Sequence, residues 1–347
     1  MPPRLARLLA VIAALAMVGG ALYFVTRDSG GGTGSDGTDP GNDPGGKVRI
    51  ACIAELESVC KVVAAKHPEI ALTVEDAGTT EAALVPAGVA PYDAWITFDP
   101  WPGMVDAGRD QKNMRPWFGT APTALASTPL VAVMPGDRYA ALVKVCGKGT
   151  ATWTCVATYA GQSWGAFASG SPGADTWGTL KVGVGDPDSG LGALFVGQVA
   201  TSIASANRLG AHFGSNDFTP LLQQQLKAPL ASSDRKDTAD QLTDVVLHFG
   251  SYSLVASTAP PASRTATSSQ GRSHNLQAVQ IGPSARADAI VAPLTTDAKV
   301  ASRISGWFTD KTAQHEFDRL GWAFGPPKGS NGMPDADVLA ALREDIR

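Results

Sequence analysis

The sequence predicts an α/β fold with mainly parallel sheets. Short apolar runs and stretches of helical apolar spacing alternate from about residue 47 to residue 320. Gly, Pro and Asp clusters punctuate the joins between them. The 347 residues are 44% hydrophobic, enough for two domains with a real core. No internal repeat is present.

The N-terminal stretch comes first. Arg4 and Arg7 precede an uncharged apolar run over residues 8–25, which Arg27 and Asp28 close. The run is long enough to cross a bilayer as one helix, and the flanking positive charge places everything after Asp28 outside. Residues 1–27 are therefore expected to be a membrane anchor or, if cleaved near Gly19-Gly20-Ala21, a signal sequence. Either way the remainder is exported. No cysteine lies in or just after the run, so lipoprotein attachment is not expected. Residues 28–46, DSGGGTGSDGTDPGNDPGG, carry no apolar side chain to offset ordering entropy and read as a flexible linker.

Residues 47–53 alternate and predict the first strand. A helix follows over about 55–66, because Leu56, Val59, Cys60 and Val63 share one face. His67-Pro68 ends it. Residues 70–74 form a second strand. Gly78-Thr79-Thr80 then starts a short helix over 81–85 with a threonine cap. Residues 94–98 are a third strand, broken by Asp99-Pro100. Residues 129–134 form a buried strand ended by Pro135-Gly136-Asp137. The stretch from Cys146 to Cys155 reads as a loop or hairpin.

Residues 180–184 form a strand that runs into Asp186-Pro187-Asp188-Ser189-Gly190. A helix starts near Leu191, with a long helical region from 193 to about 209. Its first N–H groups lie beside a hydroxyl and small glycines, a corner suited to an anionic or polar ligand. Residues 241–249 and 252–257 read as helix then strand. Residues 258–287, rich in Ser, Ala, Pro and Arg, read as an irregular excursion. A last strand covers 290–294. Two helices follow: Val300, Ile304, Trp307 and Phe308 form the buried stripe of the first, and Gly321 stops the second.

Four cysteines suit an oxidising compartment. Of three possible connectivities, the simplest pairs Cys52 with Cys60 and Cys146 with Cys155. Each loop would contribute about 2–3 kcal/mol in the chain-entropy model. No pair has zinc-site spacing.

The net charge of −4 offers no field for nucleic acid. There is no P-loop, G-x-S-x-G or H-E-x-x-H, and the histidines are scattered, so no enzyme activity, metal or cofactor is expected.

The order of these pieces resembles bacterial extracellular solute-binding proteins of the type II periplasmic-binding-protein fold, near the molybdate- and sulfate-binding branch. The resemblance spans roughly residues 47–325. It rests on VRIACIAELESV, the GTT helix start, YDAWITFD, STPLVAVMPGD, VGVGDPDSGLG and the C-terminal pattern from IVAPLTTD to DRLGW. It implies two α/β lobes joined by two crossing strands, which here would follow the N-terminal membrane helix read from residues 1–27, an anchor unusual among proteins of this kind. Lobe 1 would be 47–127 plus 288–347, and lobe 2 would be 128–287.

The resemblance places a ligand in the cleft between the lobes. Glu55, Thr79 and Thr80 would face it from lobe 1, Ser127 and Thr128 from the crossing, and Ser189, Gly190 and Tyr252 from lobe 2. Plainer readings stand beside these. Thr79 can simply cap a helix, Ser189 can serve its turn, and Glu55 can be a solvated first-turn residue. Trp95, Trp101, Trp117 and Trp164 suit core packing. In the first loop the oxyanion binders carry a serine where this chain has Ile53-Ala54-Glu55. A carboxylate facing the cleft would repel an oxyanion.

The implied function is capture of a small polar solute, neutral or cationic, and its presentation to an ABC-type permease. The alternative is an envelope interaction or assembly module without a transported ligand.

Overall fold

The computed structural model describes residues 46–119, 121–147, 149–203 and 237–346. The anchor and linker expectations for residues 1–45, and the helical expectation beyond residue 203, lie outside the described residues. No helix among them is long and apolar enough to cross a membrane.

Strand β1 (Val48–Ile53) leads through one 3-10 turn (Ala54–Leu56) into α1 (Glu57–Lys66). Then come β2 (Ile70–Glu75), α2 (Ala77–Leu84), β3 (Ala94–Asp99) and α3 (Trp101–Asp110). Strand β4 (Thr123–Pro135) is followed by α4 (Gly136–Cys146), α5 (Trp153–Tyr159), α6 (Trp164–Phe167), β5 (Val182–Gly183) and α7 (Gly190–Ile203). The chain continues with α8 (Thr238–Leu247), β6 (Leu254–Thr258), α9 (Ala259–Thr267), α10 (Ser269–Ser273), β7 (Leu276–Val279) and β8 (Arg286–Pro293). It closes with α11 (Ala298–Phe308), α12 (Lys311–Leu320), β9 (Ala323–Phe324) and α13 (Ala336–Ile346).

The strands run in the order β2-β1-β3-β8-β4-β6-β5, with β7 and β9 also paired to β4. The expected mainly parallel sheet is corrected here. β1 is parallel to β2 and β3, and β5 is parallel to β6. Every pair that involves β8 or β4 is antiparallel. The reason is β4: it pairs with β8 over its first half and with β6 and β7 over its second, so one long strand carries the chain between two sheet halves.

One local expectation is narrowed and two change. The Cys146–Cys155 stretch takes the loop alternative rather than the hairpin and links two helices: its cysteines end α4 and sit in the first turn of α5, where Thr152 Oγ1 accepts from Cys155 N–H. Residues 258–287 contain α9, α10 and β7. The prolines of α9 occupy its first turn, where a missing N–H costs nothing, and Ser268 caps α10 through Gly271 N–H. No threonine caps α2. Its N-cap is Asp76, and Thr79 and Thr80 lie inside its first turn.

The core forms where both sheet halves meet their helices. Trp95, Trp101, Trp153 and Trp164 are fully buried, while Trp117 is half-buried under the Arg109 guanidinium at 4.1 Å. Both disulfides follow the local pairing. Cys52–Cys60 ties β1 to α1 inside the core, and Cys146–Cys155 ties α4 to α5.

Candidate functional site

Loops that leave the carboxyl ends of parallel strands can wall a crevice. Here they do. Residues after β1 (Ala54, Glu55, Glu57), after β2 (Asp76, Gly78, Thr79, Ala82) and after β5 (Asp186, Asp188, Ser189, Leu191) line one cavity of about 1230 Å³. The start of α8, the end of β6, the start of α9 and the chain around Trp322 complete the wall.

The 186–190 turn is held from both sides. Within the turn, Ser189 Oγ donates to Asp186 O at 2.7 Å and accepts from Gly192 N–H at 3.0 Å, an N-cap for α7. Its one hydroxyl proton is thereby committed. From the β1 side, Glu55 Oε1 accepts from Leu191 N–H at 2.8 Å. From α2, Gly78 N–H donates to Asp188 O at 2.8 Å. A side chain at residue 78 would sit 2.8 Å from Asp188 Cβ, so only glycine allows this approach. From α3, Trp101 Nε1–H donates to Gly190 O at 3.2 Å. Arg343 of α13 is buried beneath. It pairs with Glu81, lies over the Trp101 ring at 4.5 Å, and stands 3.9 Å from Asp188 Oδ1.

Glu55 therefore occupies the position that a helix N-terminus offers to an anion. Its Oε2 is buried without a hydrogen-bond partner. Burial pushes the carboxyl up from an ordinary 4.5 to about 7, with Asp76 and Asp237 adding repulsion. The Leu191 N–H pulls the other way and does not win. Asp76 is also raised, first by burial and then by Asp237, Asp186, Asp188 and Glu75.

The residues expected to hold a ligand separate into two groups. Glu55, Thr79 and Ser189 line the cavity, and Gly190 lies directly behind Glu55. Thr80 is buried and donates to Glu75 Oε1 at 2.7 Å. Ser127 and Thr128 border a different, shallower depression beside Pro129 and Arg319. Tyr252 packs in the apolar cluster of Val131, Val133 and Val255. The sequence reading did not single out Asp76, Asp237, Ser257, Thr258, Arg264 or Trp322, all of which line the cavity. The only available signal was that Asp76 and Thr258 stand where strands end.

No family model matches the chain, and no curated protein matches it by sequence. Solved structures match it in fold. The periplasmic binding protein AfuA from Actinobacillus pleuropneumoniae, solved with exogenous fructose-6-phosphate bound, superposes with a TM-score of 0.50 at 14% identity. The match covers 82% of this chain and 87% of that one. The periplasmic binding protein P5PA gives 0.48 at 11% identity, over 84% and 90% of the two chains. The sulfate-binding protein SubI from Mycobacterium tuberculosis H37Rv gives 0.46 at 13%, over 80% and 86%. These neighbours are binding proteins, and the likeness to AfuA shows that this chain has the mixed α/β fold of a periplasmic binding protein.

Proposed function

We propose that the chain is an extracytoplasmic solute-binding protein that captures a small polar solute between two lobes and presents it to an ABC-type permease. Lobe 1 comprises residues 47–127 and 288–347, lobe 2 residues 128–287, and β4 and β8 are the crossing strands. Residues 1–27 tether it to the membrane as a single-pass anchor, or release it if cleaved, and residues 28–46 provide reach. One observation carries the reading: a single cavity is walled by residues 54–57, 76–82 and 320–322 from the first set and 186–191, 237–242 and 257–264 from the second. A solute there would be gripped by both.

Oxyanions do not fit this reading. AfuA was solved with a sugar phosphate, but here Glu55 already fills the helix N-terminus, and further carboxylates surround it. A thermal-shift screen of the full chain against amines, sugars, amino acids and oxyanions tests the proposal. Stabilisation by at least one class is expected, and a flat response to all of them would overturn it. Protease accessibility on intact cells tests the exported orientation.

The second reading, an envelope interaction module, draws on the contacts of Glu55 and Gly78 with the 186–190 turn, because the chain's own groups clasp the cavity wall. A fixed partner that co-purifies and ignores added solutes would favour it.

A further inference from the structure

Beyond the capture of some polar solute, the cavity's charge and its unpartnered groups select among solute classes. Its wall carries the carboxyl groups of Glu55, Asp76, Asp186 and Asp237, together with Glu57, which pairs with Lys61, and Asp188, which Arg343 approaches. Among the described residues the only basic side chain in the wall is Arg264, exposed on α9. Low-dielectric walls concentrate such a one-sided field.

A second observation is independent of that charge. Ser257, at the end of β6, is fully buried, lies in the cavity wall, and its Oγ has no hydrogen-bond partner. A buried hydroxyl left unpaired costs about 1–3 kcal/mol, which a ligand group reaching it would recover. Glu55 Oε2 is a second buried oxygen in the same wall without a donor. Both can accept an N–H.

The remaining wall is carbon. Leu191, Leu242, Pro261 and Trp322 give a ligand's skeleton an apolar surface. A bare metal ion does not match the site. Among the described residues no three His, Cys, Asp or Glu side chains converge closely enough to hold one, and the volume far exceeds an ion's.

We infer that the cavity takes an organic cation, a small solute with an ammonium or guanidinium head on an apolar body. Its charge lies among Asp76, Asp186, Asp237 and Glu55, and an N–H group reaches Ser257 Oγ. The inference rests on the solute-binding reading above and narrows it to one class. Burial raises Asp76 first and repulsion from Asp237, Asp186, Asp188 and Glu75 adds to it, a repulsion that a bound positive charge would offset.

The test is calorimetric titration of the full-length chain with agmatine and spermidine as cationic probes, hexane-1,6-diol as the neutral control, and sulfate and fructose-6-phosphate as anionic ones. At least one cation is expected to bind, with affinity reduced tenfold or more by Asp76→Asn and by Asp237→Asn. Both changes keep side-chain size at exposed positions and so spare the fold. Ser257→Ala should weaken the same probe severalfold without altering its salt dependence. Cation binding that survives both aspartate changes overturns the assignment. Binding of only the neutral or anionic probes overturns the cation class and leaves solute binding standing. Failure of every probe overturns both.

Discussion

Replacing Glu55 with glutamine tests the clasp at its most exposed assumption, that a carboxyl group is held there against its own burial. Glutamine keeps an oxygen that can accept from Leu191 N–H, so the 2.8 Å contact survives the change. What disappears is the charge. The native carboxyl is pushed from 4.5 to about 7, chiefly by desolvation. At about 1.4 kcal/mol for each tenfold change in proton affinity, that rise is worth about 3 kcal/mol. Its direction is fixed by linkage. Between pH 4.5 and 7 the native protein holds this proton and the unfolded chain has released it, so the group's contribution is complete below pH 4.5. It is lost as pH rises through about 7. The carboxylates that face Glu55 (Asp76, Asp186, Asp188 and Asp237), and Arg264 across the cavity, are present in both proteins, so most of their own titration cancels in the comparison. Urea unfolding of wild type and Glu55→Gln at pH 5 and pH 8 should show the variant gaining about 2.5 kcal/mol on wild type between the two pH values, since part of the contribution is already lost at pH 5. A double difference below about 1 kcal/mol, or one of opposite sign, would show that Glu55 is not desolvated in the clasp.

Three further changes probe the frame around it. Arg343→Met leaves Glu81 without its buried cation and should cost about 3 kcal/mol in urea unfolding, with Glu81→Gln added to it restoring part of the loss. Removing the Cys52–Cys60 pair with alanines should cost about 2.5 kcal/mol from loop closure plus a packing loss, because both sulfurs lie in the core. Removing Cys146–Cys155, whose residues are only partly buried, should cost the loop-closure part alone, so a larger loss there would contradict the assignment.

The parts of the fold legible in the sequence are those whose signal is local. β1, β2 and β3 alternate or run apolar between clear stops, and α11 and α12 show one stripe each, with Gly321 closing the second in the left-handed region. Helix α3 was missed because it starts on Trp-Pro-Gly, which reads as a break. Yet its first-turn proline needs no N–H, and Trp101, Met104 and Val105 make a buried face. Strand direction was misjudged for a different reason. Periodicity says which residues are buried, and nothing in it says that β8 returns between β3 and β4. The cavity divides along the same line. Glu55 and Thr79 lie in the turns and helix starts that come after β1 and β2, where the family resemblance expected ligand contacts. Asp237 reaches the wall from the N-cap of α8 and Arg264 from the last turn of α9, neither of which carries a local signal of a site, and Ser257 sits within five consecutive buried residues, where a serine reads as core.

The same carboxylate links the two halves of the argument about ligand charge. A helix N-terminus with small residues in front of it is an anion site only while no anion of the chain's own is there, and α7 receives Glu55. An incoming oxyanion would have to displace that carboxyl and then remain beside Asp76, Asp186 and Asp237. A cation meets neither obstacle. It leaves the Leu191 contact intact, offsets the repulsion among the aspartates, and favours the ionised form of Glu55 that burial otherwise resists. The feature that makes the turn resemble an anion site is thus turned inward as part of the clasp, and the surface left for a solute is the opposite in charge.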